Sequence, residues 1–330
     1  MLGVARLTSD QEFVLVRARV VGCLALLSAA FAACGGPEGD PTEALAVLDR
    51  LAFVAPGECR LLGRDGVDLV CANGEALLVD RLEVTRGEWA AWSATSSGAA
   101  ATGEDPNRAV VADAWPEAVD SWPASALTLA EARAYAASRG MRLPTAREWI
   151  RVASGTRAQP FPWGLARASA VANTVELGLG RPVPSGTFEQ GASPDSVYDL
   201  LGNVAEWVED PIASAGGGDD VRPLAWAMGG SFATRLWKIY EPDESGRTTV
   251  VQVDLDPGTR SADVGLRCVA SARAWLAEQT PDLGATQRER DGLRRIGARW
   301  GRDAVQLLED LAGRPGAKLA LRWLLEGARG

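Results

Sequence analysis

The chain contains no histidine. Without imidazole there is no Ser-His or Cys-His nucleophile activation, no His-ligated zinc or iron, and no histidine pH switch. Any chemistry must rest on cysteine, carboxylates, tyrosine, lysine, backbone groups or a hard cation. Lysine is scarce too: of 34 basic residues only Lys238 and Lys318 are not arginine. A formal net charge of -9 argues against a nucleic-acid partner, because a phosphate backbone requires a concentrated positive face, and none is expected. No apolar run is long enough to span a bilayer stably, the best being Val20 to Ala30. What is present suffices for a globular protein. In 330 residues, 47% hydrophobic and 23% charged, there is material for one large domain plus appendages.

Residues 1–33 read as an export signal, with Arg17 and Arg19 ahead of the apolar run and small residues leading to Cys34. Phe31-Ala32-Ala33-Cys34 resembles the bacterial lipobox, after which the cysteine is acylated and holds the protein on a membrane without a spanning helix. The alternative is an ordinary secretory signal with an incidental cysteine. Residues 34–52, opening Gly35-Gly36-Pro37-Glu38-Gly39-Asp40-Pro41, read as a flexible polar tether.

Removing Cys23 with the signal and Cys34 by acylation leaves Cys59, Cys71 and Cys268 in an oxidising compartment. Cys59 and Cys71 flank two apolar runs joined by Arg64-Asp65-Gly66, a hairpin pattern that sets the sulfurs opposite each other and predicts a disulfide. Two buried free thiols are the alternative. Cys268 is then the odd one, read as a small buried hydrophobe.

Strands are expected near 58–63, 67–71 and 76–84. Thr128-Leu129-Ala130-Glu131 and Thr145-Ala146-Arg147-Glu148 are capping boxes, opening helices that stop at Gly140 and near Gly155. Past 155 the chain is rich in Gly, Pro, Ser and Asn and must be held by loops that satisfy their own polar groups. Residues 272–330 differ: 11 basic against 8 acidic residues make this tail +3, leaving -12 for the rest of a chain whose total is -9. Leu293, Ile296, Trp300, Ala304, Leu307 and Leu311 recur at helical spacing as one apolar stripe. A second helix, Lys318 to Leu325, follows Gly313-Arg314-Pro315-Gly316. This extension reads as a helical hairpin packed on the flank of a domain at 53–271, or as a docking element for a partner or an anionic membrane surface.

Four ordered segments carry a resemblance. They are Leu82-Glu83-Val84-Thr85 leading to Trp89 and Trp92; Arg142-Leu143-Pro144-Thr145-Ala146-Arg147-Glu148-Trp149; Tyr198-Asp199-Leu200-Leu201-Gly202-Asn203-Val204-Ala205-Glu206-Trp207; and Gly229-Gly230-Ser231-Phe232 followed by Val264-Gly265-Leu266-Arg267-Cys268-Val269. Phe161-Pro162-Trp163-Gly164 and Ala172-Asn173-Thr174 fill the interval. The set resembles the formylglycine-generating enzyme, or sulfatase-modifying factor, family over about residues 53–270. The resemblance implies an α+β fold of the C-type-lectin-like kind, low in regular secondary structure, with two structural calcium sites. One site would use main-chain oxygens of Leu201, Gly202 and Val204 and the Glu206 carboxylate, and Asn173 and Thr174 match the start of the other. The acid expected later in that second loop is not found between Glu176 and Phe188. An ion pair with a buried arginine is the other reading of Glu206.

At the active centre the sequence departs from the family. Active aerobic members carry two cysteines five residues apart, just after the Gly-Gly-Ser-aromatic motif, that bind copper(I) and oxidise a substrate cysteine to formylglycine. Copper(I) needs soft thiolates. Those positions here are Thr234 and Ile239, so copper is not expected. Cys268 falls in the last family strand and supplies one thiol where two are needed. The related iron-dependent sulfoxide synthases use histidine ligands that this chain lacks. Trp149, Trp163 and Trp207 read as packing residues, whereas Trp226, Ser231 and Trp237 are candidates for lining a groove. Asp219-Asp220 and Asp254-x-Asp256 read as solvated loop acids. The sequence therefore leans toward a membrane-anchored pseudoenzyme of the cell envelope that binds a peptide, a glycan or an envelope protein. The alternative is a formylglycine-type oxidase with an altered centre.

Overall fold

A computed structural model describes residues 41–62, 68–102, 119–165, 168–210, 213–215, 222–236 and 252–330. In chain order these form α1 (Pro41–Asp49), β1 (Leu51–Val54), β2 (Gly57–Leu62), β3 (Asp68–Asn73), β4 (Leu77–Asp80), α2 (Arg86–Ser93), α3 (Ser96–Thr102), α4 (Leu129–Ser138) and α5 (Ala146–Ser154). There follow β5 (Ala205–Trp207), β6 (Ala213–Ala215), β7 (Arg222–Met228), β8 (Gln252–Leu255), β9 (Val264–Gly265) and β10 (Val269–Ser271). The tail supplies α6 (Ala272–Glu278), α7 (Gln287–Trp300), α8 (Val305–Ala312) and α9 (Leu319–Arg329). This is an α+β fold with short strands.

Three small sheets result: β1-β4-β10, all antiparallel; the hairpin β2-β3; and β6-β7-β5-β9, with β8 also paired to β7 and β5-β9 parallel. Side chains alternate across a strand, and both faces here are buried. Leu51, Phe53, Leu78 and Ala270 join one core cluster with Trp89, Tyr135 and Trp207, whereas Ala52, Val54, Leu77, Val79 and Val269 join a second with Trp149 and Ile150. Tail helices lie on the first face and α5 on the second.

Both expected capping boxes form. Thr128 and Thr145 accept from the amides of Glu131 and Glu148, whose carboxylates accept in return, and the chain leaves α4 at Gly140 and α5 at Gly155 with positive φ. Two further boxes, Thr85 with Glu88 and Thr286 with Glu289, open α2 and α7. The expected strands at 58–63, 67–71 and 76–84 are β2, β3 and β4. Cys59 and Cys71 are register partners across β2-β3. The Arg64-Asp65-Gly66 turn lies outside the described residues, as do Cys23 and Cys34.

Two expectations need correcting. Residues 41–52 are not tether: they form α1 and the start of β1. Leu45 seats against Gly292 of α7, and Arg299 donates to the Asp49 carboxylate at 2.8 Å and its carbonyl at 2.7 Å. Nor is the apolar stripe one helix. Every residue of it is buried, but Gly301, at φ 68°, breaks it into α7 and α8, and four helices replace the expected hairpin. The Trp300 indole donates to Leu51 O at 2.9 Å, so the tail is part of the core that carries β1. The extension packs against the domain as the first of the two readings expected, but as four helices within its main core and not as a hairpin on the flank.

Helices α7 and α9 cross where Gly297 lies on the Leu324 carbonyl and Gly327 on the Arg294 carbonyl. A methyl at either position collides with backbone. Gly297→Ala is expected to cost about 1–3 kcal/mol of stability by overpacking, read as a lowered midpoint in urea with an unchanged slope.

Candidate functional site

The family-like segments converge on one buried polar node. Glu206, on β5, and Arg267, just past β9, are each 1% exposed. The Arg267 Nη2 donates to Glu206 Oε1 at 2.7 Å, and Nε donates to both carboxylate oxygens at 3.1 Å. The Trp149 indole of α5 donates to Oε2 at 2.8 Å. The remaining guanidinium donors reach Asp80 O and Tyr198 O, both at 2.7 Å. Burial works against the Arg267 charge, but Glu206, Glu83 and Asp199 outweigh it and hold the guanidinium above its ordinary pKa.

Beside this pair Glu83 is fully buried and accepts from Asn203 Nδ2 at 2.7 Å, Ser185 Oγ at 2.9 Å and Val204 N at 3.1 Å. Burial first, then the Asp199 and Glu206 carboxylates, push its carboxyl well above the usual range. Asp199 accepts from Gly186 N at 2.5 Å, and burial raises it to about 6. A second ion pair, Arg139 with Asp80 at 2.6 and 2.8 Å, lies against Cys268. Burial and the Asp80 charge push the Cys268 thiol far up, so it stays protonated and unreactive.

The centre where the family keeps its thiols is built differently. Gly229 and Gly230 have φ of 89° and 65°, and a side chain on Gly229 would meet the Leu200 carbonyl and Trp149. The turn they introduce is closed reciprocally: Ser231 N donates to Thr234 Oγ1 at 3.0 Å and Thr234 N to Ser231 O at 2.9 Å. Ser231 Oγ donates to Asp263 at 2.8 Å, and Ser261 Oγ donates to the other Asp263 oxygen. Val175 N donates to Thr234 O at 3.1 Å, while Glu176 accepts from Leu236 N at 2.9 and 3.0 Å. Asp263, Ser261 and Glu176 were not singled out in the sequence. The Ser261-x-Asp263 spacing beside the last motif was their only signal.

Trp226 is half-buried on β7 and packs on the second core cluster with Trp163, which stacks on Phe161 at 5.1 Å. Trp149 and Trp207 are buried packing residues with indole donors satisfied, Trp207 by Leu127 O at 3.0 Å. Trp237, Ile239 and the Asp219-Asp220 pair lie outside the described residues. Asp254 and Asp256 are exposed.

The calcium sites implied by the resemblance do not fit these donors. Both oxygens of Glu206 already accept from a guanidinium and an indole, so a cation there meets an existing cation. In the other loop Asn173 Nδ2 donates to Arg181 O and Asn203 Oδ1, Thr174 Oγ1 donates to Glu176, and Glu176 is turned to Leu236. Asn173 Oδ1 is left without a partner, but one neutral oxygen does not make a calcium site. Among the described residues no group of three or more Asp, Glu or Cys side chains is arranged to hold a metal. Nor do the hydroxyls and carboxylate around Ser231 and Thr234 suit a soft ion such as copper(I).

A family model for the sulfatase-modifying factor enzyme 1-like domain matches residues 55–272. The chain belongs to this family. Among curated relatives, the hercynine oxygenase of Mycolicibacterium smegmatis is 39% identical over 95 residues, 27% of this chain and 22% of that protein. The inactive C-alpha-formylglycine-generating enzyme 2 of Mus musculus is 32% identical over 156 residues, 43% of this chain and 47% of that protein. The chain thus spans about a fifth of the first relative's length and about half of the second's. Among solved structures, PvdO from Pseudomonas aeruginosa is 21% identical with a TM-score of 0.48, covering 66% of this chain and 93% of that one. CarF is 18% identical with a TM-score of 0.49, covering 67% and 97%.

The node of this sulfatase-modifying-factor domain predicts a pH effect. Because the Asp199 pKa is raised on folding, the native state binds more protons than the unfolded chain between about pH 4 and pH 6. Its stabilising contribution is full below about pH 4 and lost as pH rises through 6. Asn tolerates the positive φ of 54° at this position and cannot ionise. Asp199→Asn is therefore expected to melt above wild type near pH 7.5 and level with it near pH 4, read by differential scanning calorimetry. Destabilisation at both pH values would contradict the assignment.

Proposed function

We propose that the chain is a non-catalytic sulfatase-modifying-factor module that binds a peptide, glycan or partner protein at the cell envelope. The observation that carries this reading is Thr234. At the first thiol position stands a hydroxyl that closes a turn on Ser231 N and cannot supply a thiolate. Cys268, in the last family strand, is held protonated by burial. The absence of histidine removes the ligand type on which the sulfoxide-synthase chemistry of related proteins depends. The half-buried Trp226 on β7, with Trp163 on the same core cluster, offers an aromatic surface for a ligand.

The test has two arms. Purified protein incubated with copper(I), oxygen and a Cys-x-Pro-x-Arg peptide is expected to give no aldehyde by mass spectrometry. Conversion that disappears in Cys268→Ser would establish the oxidase reading instead. Against peptide and glycan panels, wild type is expected to show specific binding that Trp226→Ala loses, and binding untouched by that change would refute the aromatic surface.

The module is read as exported and lipid-anchored through Cys34, a proposal that rests on the lipobox-like Phe31-Ala32-Ala33-Cys34. A disulfide between Cys59 and Cys71 goes with that compartment, and the β2-β3 register supports it. In a bacterial host labelled with a fatty-acid analogue, the wild type is expected to carry label and sediment with membranes. Cys34→Ser is expected to do neither, and a soluble, unlabelled wild type would remove the anchor from the reading.

A further inference from the structure

We infer that Arg267 is a built-in counterion at Glu206 and that the fold of this domain does not depend on calcium. Three carboxylates meet in this part of the core. Glu206 is 1% exposed, Glu83 0% and Asp199 5%. Such a group needs a compensating charge inside the protein. Calcium would take six to eight oxygen ligands, with Glu206 as the carboxylate of its set. Arg267 instead directs Nε and Nη2 at both Glu206 oxygens, and Trp149 adds an indole N–H to Oε2. Both oxygens of that carboxylate therefore already accept from donors of the protein.

The rest of the guanidinium shows that it is fixed there and not passing through. Nη1 donates to Asp80 O and Nη2 to Tyr198 O, both at 2.7 Å, so all three guanidinium nitrogens are held by groups of the protein. The neighbouring carboxylates are served by neutral donors: Glu83 by Asn203, Ser185 and Val204 N, and Asp199 by Gly186 N. The loop from Leu201 to Val204 is held without a metal as well. Gly202 N donates to Gly229 O at 3.1 Å, Asn203 N to Asn173 O at 2.8 Å and Phe232 N to Asn203 O at 3.0 Å. A divalent ion brought beside Glu206 would have to displace Arg267 and leave its guanidinium buried and unpaired.

The experiment compares the melting temperature of the whole chain in excess EDTA and in millimolar calcium chloride, with calcium binding followed by titration calorimetry. The two melting curves are expected to coincide and no binding heat is expected. Calcium bound to the native state alone at a thousand times its dissociation constant would raise the midpoint by several degrees, and such a rise overturns the inference. Arg267→Met supplies the second arm. Losing the counterion is expected to lower the melting temperature by ~10 °C, part of which calcium now restores because the carboxylates are left without their cation. Glu206→Gln with Arg267→Met is expected to abolish that rescue. If Arg267→Met does not fold, the wild-type comparison alone decides. If calcium rescues nothing in a folded Arg267→Met, the counterion role is refuted. None of these readouts depends on the ligand or chemistry of the centre at Thr234, so the pseudoenzyme reading stands or falls separately.

Discussion

The buried pair of Glu206 and Arg267 is the constraint to which the other parts of this domain are tied. Through Trp149 it holds α5, through Asp80 the end of β4, and through Tyr198 the loop that precedes β5. An ion pair at this depth is not cheap, because the desolvation of both charges offsets most of their attraction unless every remaining donor and lone pair is used. Here they are used. The pair therefore contributes less to net stability than to uniqueness, since any shift of β5 against β9, or of α5 against both, leaves a charge uncompensated. That is a strong penalty against alternative registers in strands only two or three residues long.

Short strands explain why so much of the structure rests on polar side chains. Between α5 and β5 runs a segment of some fifty residues whose regular structure is three short 3-10 turns. With few ladder partners, its backbone groups bond to turns, to other loops and to side chains. Asn203 is the clearest case: at φ 58° it accepts from Val183 N and Asn173 Nδ2 while donating to Glu83 and to Val183 O. Gly202, whose Cβ would collide with the Asn173 carbonyl, allows the two loops to touch. The apolar core then needs only to seal this lattice from both sides, which the alternating residues of β1, β4 and β7 do.

Local signals were legible where one segment decides its own structure. The capping boxes at Thr128 and Thr145 located two helix starts, because both partners lie within four residues. The ordered motifs gave the family and the α+β fold for the same reason that they are motifs. Pairwise partners over long separations were not legible. Glu206 had two roles open to it, and only the position of Arg267, 61 residues on, separates them. Residues 41–52 follow a Gly- and Pro-rich stretch and look like linker; α1 is helical because Leu45 and Leu48 find the notch at Gly292 and the core behind it. The break at Gly301 was hidden by an apolar stripe whose period continues through it.

In the proposed reading, a threonine at position 234 means more than a missing sulfur. A cysteine at the centre of a thiol-based oxidase must keep its side chain free of strong local hydrogen bonds, so that it can ionise and meet a metal or substrate. A threonine at the same place is a good acceptor, and Oγ1 has been absorbed into the turn that Gly229 and Gly230 open, with Ser231 and Asp263 extending the network. Restoring a thiol at that position would leave Ser231 N with a weak acceptor in place of a hydroxyl. In the non-catalytic reading proposed above, the missing thiol and the local brace are one feature, and a site whose reactive position is part of its scaffold would present a fixed surface, suited to recognition.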